Sequence, residues 1–306
     1  MLSLSTAYNI RRHESWNSLR DEVLGFGINS VELNVQVPEA WFGDIVKSVA
    51  SGEISVSSLH NYCPKLENLP ENRSIYSGYF LSSDDPGEFA LAVQNTLKTI
   101  DFAARVNARA VVIHAGTVPM ELSGVELYNY AVKFGIKGML FEKYKSTVLS
   151  ARNKLAPKYL DNLMRSMDQC LNAASKRNVT LCLENRLYPH EIPSVEETLM
   201  LIDKFKGAPL AYWHDNGHAE VFVRLGLAAS QDDFLKPLSK HIFGMHLHDI
   251  NGLEDHFAPG SGDFDFSRLK AYIGKETLLV IEAHAKSTAG ELKNAVKYLT
   301  DRQIIN

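Results

Sequence analysis

The sequence has little of what would tie it to an extracellular, membrane or nucleic-acid role. It contains 3 cysteines in 306 residues, Cys63, Cys170 and Cys182, an odd count at wide and irregular spacing. That pattern encodes neither a disulfide framework nor a four-cysteine zinc site, and a reducing compartment fits it best. No stretch reaches the roughly 18 consecutive apolar residues that a membrane span needs. The opening MLSLSTAYNIRRHESW meets Arg11, Arg12 and His13 without the apolar core and small-residue cleavage site of a secretory signal. Long basic runs are missing too: 36 acidic residues against 32 Lys and Arg leave a net charge of −4, which disfavours general affinity for nucleic acid or anionic membranes. Also missing are GxGxxG, a P-loop and GxSxG, so the simple nucleotide-binding and serine-hydrolase readings fall away. No Pro/Ser/Gly-rich linker, low-complexity tract or repeat forces a boundary, so residues 1–306 are read as one domain, expected in the cytoplasm.

What is present is a globular average, 45% hydrophobic and 22% charged residues, enough to build a core. The length suits two ordinary domains or one large α/β barrel. Short apolar or β-branched runs alternate with longer amphipathic ones. The expected strands are Leu2 to Thr6, Asn29 to Leu33, Ile54 to His60, Ala110 to His114, Val179 to Glu184, Pro209 to Asp215, Phe243 to His248 and Leu278 to Glu282. Helical patterns lie between them, such as Glu88 to Val106 and Pro157 to Arg177. Strands that are not polar at every second position indicate a parallel sheet covered by helices, and eight such units predict a (β/α)8 TIM barrel. The excess length sits after the fourth strand, between His114 and Val179, where two or three helical segments stand in place of one. That insertion would cover a pocket or mediate self-association as a homo-oligomer.

Chemistry collects at the C-terminal ends of these strands, where such barrels build their sites. The runs end in His60, His114, Glu184, Asp215, His246 with His248, and Glu282. An acid or imidazole abutting an apolar core must find a partner or bear a desolvation penalty, and a divalent cation would satisfy several together. Period two puts Cys182 with Glu184 on one face, and likewise His246 with His248 and Val280 with Glu282. Glu184, Asp215, His246 and Glu282 are therefore expected around one ion, three hard carboxylates and an imidazole. That set suits Mn, Mg or Co, with Zn also compatible. A lone strand-end acid such as Glu32 reads as a salt-bridged or solvated group, and His60 or His114 alone as a satisfied core or rim histidine. His13, His190 and His241 read as surface residues. The Asp215-Asn216-Gly217-His218 run is either a turn or a coordinating pair. NGLEDHFAPGSGDFDF is a loop in which His256 is expected to touch substrate or metal, with Asp263 or Asp265 capping a helix near Ser267.

Taken together, INSVELN, ISVSSLHNY, ARAVVIHAG, VTLCLENR, HDNGHAE, GMHLHD with DHFAPGSGDFDF, and LLVIEAH resemble the xylose-isomerase-like TIM barrels. That group includes sugar (phosphate) isomerases and epimerases and the endonuclease IV enzymes. The resemblance covers nearly the whole chain. It implies the same four metal ligands, with His218 and Arg186 near the substrate and His248 a weaker alternative to His246. It also implies a sugar or sugar-phosphate isomerase or epimerase in which Glu184 and Glu282 move a proton next to a carbonyl through a metal-stabilised enediolate. A dehydratase or lyase acting on a related polyol would use much the same residues. The alternative implied by endonuclease IV is a multi-zinc phosphodiesterase. His60 and His114 match its third- and fourth-strand positions, and Glu254 with His256 its acid-x-His pair, so up to three metals would be held instead of one. A barrel that only binds a ligand is the non-enzymatic reading.

Overall fold

The computed structural model describes residues 2–71 and 73–305. Eight parallel strands, β1 (Leu2–Ser5), β2 (Ser30–Leu33), β3 (Ser55–His60), β4 (Ala110–Ile113), β5 (Thr180–Glu184), β6 (Leu210–Asp215), β7 (Ile242–Leu247) and β8 (Leu278–Ile281), form a closed barrel. Each pairs with its neighbours in sequence. β8 returns to β1 with Leu279 opposite Leu2 and Ile281 opposite Leu4, so no edge is left open. Every strand expected from the sequence is present, with ends within one residue.

The helices are α1 (Trp16–Gly25), α2 (Phe42–Ala50), α3 (Pro86–Arg105), α4 (Gly124–Phe134), α5 (Met139–Arg177), α6 (Val195–Lys204), α7 (Asn216–Arg224), α8 (Asp232–Leu238) and α9 (Ala289–Asp301). Among the described residues, none is long and apolar enough to cross a membrane. Local chemistry sets their starts. Asp85 accepts from the Glu88 amide at 2.6 Å to begin α3, and reciprocal capping boxes open α6 (Ser194, Glu197) and α9 (Thr288, Glu291). The helix expected near Ser267 is a 3-10 segment, Phe266–Tyr272, capped by Asp265 through the Ser267 amide at 3.0 Å. Asp263 does not cap it and instead pairs with Arg224.

The enlarged region after β4 is a pair of helices, α4 and α5. The helix expected from Pro157 begins 18 residues earlier, at Met139, with Pro157 inside it. Proline removes one backbone donor but is exposed here, and burial of Val148, Arg152, Ala156, Leu160 and Leu163 on one face carries the helix through it.

Strand alternation divides the core in two. Ala110, Val112, Cys182, Ala211, Trp213, Leu278 and Val280 fill the barrel interior. The intervening residues, Val111, Ile113, Leu181, Leu183, Met245, Leu247, Leu279 and Ile281, pack against the helices. Gly244 is required on β7, because a Cβ there would lie 2.2 Å from the Trp213 ring that crosses the barrel. The inner wall of β1–β3 is polar instead. Ser3 Oγ donates to Ser30 Oγ at 2.9 Å, and Ser58 Oγ to Glu32 Oε2 at 2.8 Å. That half of the interior leads toward the charged mouth.

An interior helical proline costs up to about 3 kcal/mol relative to alanine. Pro157→Ala is therefore expected to raise the unfolding free energy by about 1–3 kcal/mol in chemical denaturation. An unchanged or lower value would show that α5 is built around its proline.

Candidate active site

The last inward-facing positions of four consecutive strands converge at one mouth of the barrel. Glu184 ends β5, Asp215 ends β6, His246 lies in β7 and Glu282 follows β8; all four are buried. Their candidate ligand atoms lie within 4.8 Å of one another. His246 Nδ1 is 2.7 Å from Glu184 Oε1, 3.1 Å from Glu282 Oε2 and 3.4 Å from Asp215 Oδ2. On its other side, His246 Nε2 is 3.0 Å from Glu32 Oε1. Carboxylates only accept, so His246 Nε2–H donates to Glu32, and Nδ1 turns toward the three remaining carboxylates.

A lone pair on Nδ1 facing three carboxylates demands a positive charge between them, either a proton or a metal cation. Burial alone would lower the His246 pKa, but Glu282 and Glu32, followed by hydrogen bonds to Asp215 and Glu184, lift it well above the ordinary imidazole range. Glu184 is held well below the usual carboxylate range: burial opposes this, but His114 and Arg186 outweigh it. The donor set, three oxygens and one imidazole nitrogen oriented by a carboxylate, fits a divalent cation, and Glu32 supplies the orienting partner.

Three further groups adjoin this centre: His60, His114 and Glu184; His218, Asp255 and His256; and Asp215, His248, His256 and Glu282. His114 Nδ1 donates to the Tyr76 carbonyl at 2.9 Å, which leaves Nε2 as an acceptor facing Glu184 Oε2 at 2.7 Å. Arg186 Nη1 bridges the two, at 2.5 Å from His114 Nε2 and 2.6 Å from Glu184 Oε2, while its Nε is 3.1 Å from Glu191 Oε1. His60 Nδ1 is buried without a partner, and burial, then His114, brings its pKa down to about 4. His218 Nδ1 donates to the Asn185 carbonyl at 3.1 Å and turns Nε2 toward Asp255 Oδ2, 3.8 Å away, a buried oxygen with no donor.

Glu254 is not part of the site. It is exposed and pairs with Lys286 at 2.7 Å, and Asp255 takes the inward place, with Oδ1 2.8 Å from His256 Nδ1. Regular alternation would have put Glu254 and His256 on one face, but His256 has φ +59°, and this left-handed residue turns the adjacent pair inward together. His248 is a positioning residue: its Nδ1 accepts from the His256 amide at 2.9 Å, so Nε2 donates to Asp215 at 2.9 Å. A Cβ on Gly217 would come within 2.0 Å of the His248 ring, which makes glycine necessary there. Asp249 is occupied by the amides of Ile250, Gly260 and Phe264 and shapes the loop after β7. His190 is not a surface residue; its Nδ1 accepts from the Gly124 amide at 3.0 Å, beside the cavity. His13 is partly buried against Ser18 and Glu22. Glu32 and Asp255 are the residues that sequence reasoning missed.

The mouth opens into a cavity of about 460 Å³, and His60, His114, Glu184, Arg186, His256 and Glu282 contribute to its wall. Helix α4 reaches its wall. Val125 lines the cavity, Gly124 is tied to His190, and Tyr128 packs edge-on to Tyr188 while donating to the Leu253 carbonyl at 2.8 Å. The segment after β4 is thereby joined to the loops after β5 and β7, forming a strap over the site.

The sequence profile of the xylose isomerase-like TIM barrel family matches residues 21–302. Among solved structures, a D-tagatose 3-epimerase-like protein shares 18% identity at a TM-score of 0.68, over 99% of this chain and 97% of that one. A D-psicose 3-epimerase from Clostridium cellulolyticum H10, determined with D-tagatose, shares 10% identity at a TM-score of 0.67, over 98% of both chains. The IOLI protein with a bound zinc atom shares 15% at 0.66, over 98% of this chain and 97% of that one. At these identities the likeness is one of fold. No curated protein sequence matches the chain.

Removing an orienting carboxylate behind a metal-binding histidine typically costs about 10–100-fold in metal affinity. Glu32→Gln keeps the size and removes the charge. It is expected to weaken Mn²⁺ or Zn²⁺ binding by about that factor in calorimetric titration, and unchanged affinity would remove Glu32 from the centre.

Proposed function

Because the chain belongs to the xylose isomerase-like TIM barrel family, we propose that it is a metal-dependent sugar isomerase or epimerase. The observation that carries this reading is the approach of two buried glutamates, Glu184 and Glu282, from different strands to the same imidazole nitrogen. Proton transfer next to a carbonyl needs a base on one side of a carbon and an acid on the other or at its neighbour. The epimerase names of the structural neighbours support a ketose substrate.

A divalent cation held by Glu184, Asp215, His246 and Glu282 would supply positive charge to offset the negative oxygen that develops as the proton leaves. One glutamate takes the proton from the carbon beside the carbonyl, and the C–H electron pair moves into an enediolate. The other returns a proton, to the opposite face of that carbon for epimerisation or to the neighbouring carbon for isomerisation. His256 Nε2, 3.5 Å from Glu282 Oε2, is placed to resupply that carboxyl group. Arg186 and the strap confine the substrate. A free small molecule suits this geometry better than a polymer, because a strand running across the mouth would meet α4.

A second reading, multi-metal phosphodiester hydrolysis, is favoured by one specific observation: each flanking group, His60 with His114 and Glu184 and His218 with Asp255 and His256, gathers ligand atoms within 4.8 Å and contains one buried atom without a partner, His60 Nδ1 and Asp255 Oδ2 respectively.

In D₂O, the Mn²⁺-loaded protein is expected to introduce deuterium beside the carbonyl of a free ketose, followed by proton NMR. Glu184→Gln and Glu282→Gln should each lose about 10²–10⁴-fold of that rate when assayed at Mn²⁺ concentrations that saturate the variant. Full activity in both variants would eliminate the two-glutamate mechanism. Metal analysis separates the readings: about one ion per chain accords with sugar chemistry, and about three zinc ions, with cleavage of an abasic duplex, with hydrolysis.

A further inference from the structure

The proton-transfer centre occupies one side of the cavity, and the segments after β2 and β3, with Asn34, Val35, Ser74, Tyr76, Ser77 and Phe80, form the other. In the barrel ring β2 lies opposite β6, so Asn34, the first residue after β2, stands across the mouth from Asp215. Asn34 is 3% exposed and lines the cavity. Its backbone amide donates to Thr6 Oγ1 at 2.8 Å, which fixes the residue in place. Its side-chain oxygen is buried with no donor at all. A buried carbonyl oxygen at a cavity wall without a partner calls for a donor from the ligand.

On that wall, none of Ser74, Tyr76, Ser77 and Phe80 is a carboxylate, lysine, arginine or histidine. Among the described lining residues, the one arginine, Arg186, is already engaged between Glu184 and Glu191, and there is no lysine. Three carboxylates, Glu184, Glu191 and Glu282, face the same space. At the Asn34 wall, away from the proposed cation, a phosphate dianion would meet no lysine or arginine among the described residues Asn34, Val35, Ser74, Tyr76, Ser77 and Phe80, and would lose hydration that these neutral groups replace poorly. A hydroxyl group brings the hydrogen that Asn34 lacks and adds no charge. Aromatic faces such as Tyr76 and Phe80 suit the C–H side of a sugar.

We infer that Asn34 is a specificity-determining residue that accepts a hydrogen bond from a hydroxyl group of an uncharged polyhydroxy substrate. This deepens the isomerase or epimerase reading, on which it rests, by selecting an unphosphorylated sugar over a sugar phosphate.

Hexitols carry the hydroxyl array but no carbonyl, so they report binding whether or not proton transfer operates. The Mn²⁺-loaded full-length protein is titrated calorimetrically with D-glucitol, D-mannitol and galactitol, and with the 6-phosphates of the first two. The expected result is that at least one hexitol binds and that each phosphate binds more weakly than its parent by tenfold or more. Asn34→Leu, which removes the acceptor, should weaken the best hexitol about three- to tenfold, the loss of one neutral hydrogen bond. Asn34→Asp keeps an acceptor oxygen and should restore that hexitol's affinity while weakening the phosphates further. A purely structural role for Asn34 would not give this pattern. Equal or tighter binding of the phosphates, wild-type affinity in Asn34→Leu, or no binding of any hexitol overturns the inference. Hexitol binding with no deuterium exchange on any ketose would instead remove the proton-transfer reading and leave the Asn34 subsite standing.

Discussion

Burying Glu32, Glu184, Asp215 and Glu282 around a single imidazole is the constraint on which the remaining structure depends. Each of these carboxylates gives up hydration at the mouth of an apolar barrel, and like charges so close repel one another. His246 resolves part of the conflict by giving one nitrogen to Glu32 and turning the other toward the remaining three. Much of the surrounding polar structure holds these groups in position. Ser58 donates to Glu32, His248 and the His218 amide to Asp215, and Arg186 to Glu184. The glycine at 217 makes room for the His248 ring that does so. A site arranged this way stores a strong attraction for a cation, and the chemistry proposed for it is the use of that attraction.

Barrel closure delivers the groups. Because side chains alternate and strands pair only with their sequence neighbours, the inward residue at each C-terminal strand end reaches the same mouth. This is why the fold and the four central residues were legible in the sequence: apolar runs ending abruptly in Glu184, Asp215 and Glu282, and an imidazole within the seventh, leave few other arrangements. What was not legible depends on contacts across the ring or on single backbone angles. Glu32 in SVEL looks like any strand-end acid until barrel closure brings it within 3.0 Å of His246 Nε2 on β7. Asp255 replaces Glu254 because His256 adopts a left-handed conformation that alternation does not foresee. Proline at 157 reads as a helix start, but the buried face of α5 runs through it. His190 joins the cavity only because the Gly116–Thr117 and Glu191–Ile192 segments pair into a ribbon.

The insertion after β4 adds Val125 to the cavity wall and is tied to neighbouring loops. Tyr128 fastens α4 to the loop after β7, and Gly124 fastens it to the loop after β5, where any larger residue would meet Pro189 and His190. On the proposed reading, a substrate would lie between two walls, one carrying the carboxylates proposed to move a proton and the other carrying hydroxyl and amide groups. Their separation would let one chamber combine those carboxylates with recognition of a neutral ligand.

The most direct test of the central claim is anomalous diffraction from crystals of the protein soaked in Mn²⁺. The account predicts a peak contacted by Glu184, Asp215, His246 and Glu282, with the His246 Nε2 to Glu32 hydrogen bond retained. Full-occupancy Mn²⁺ elsewhere, or none at this position with the four side chains left paired among themselves, would contradict it.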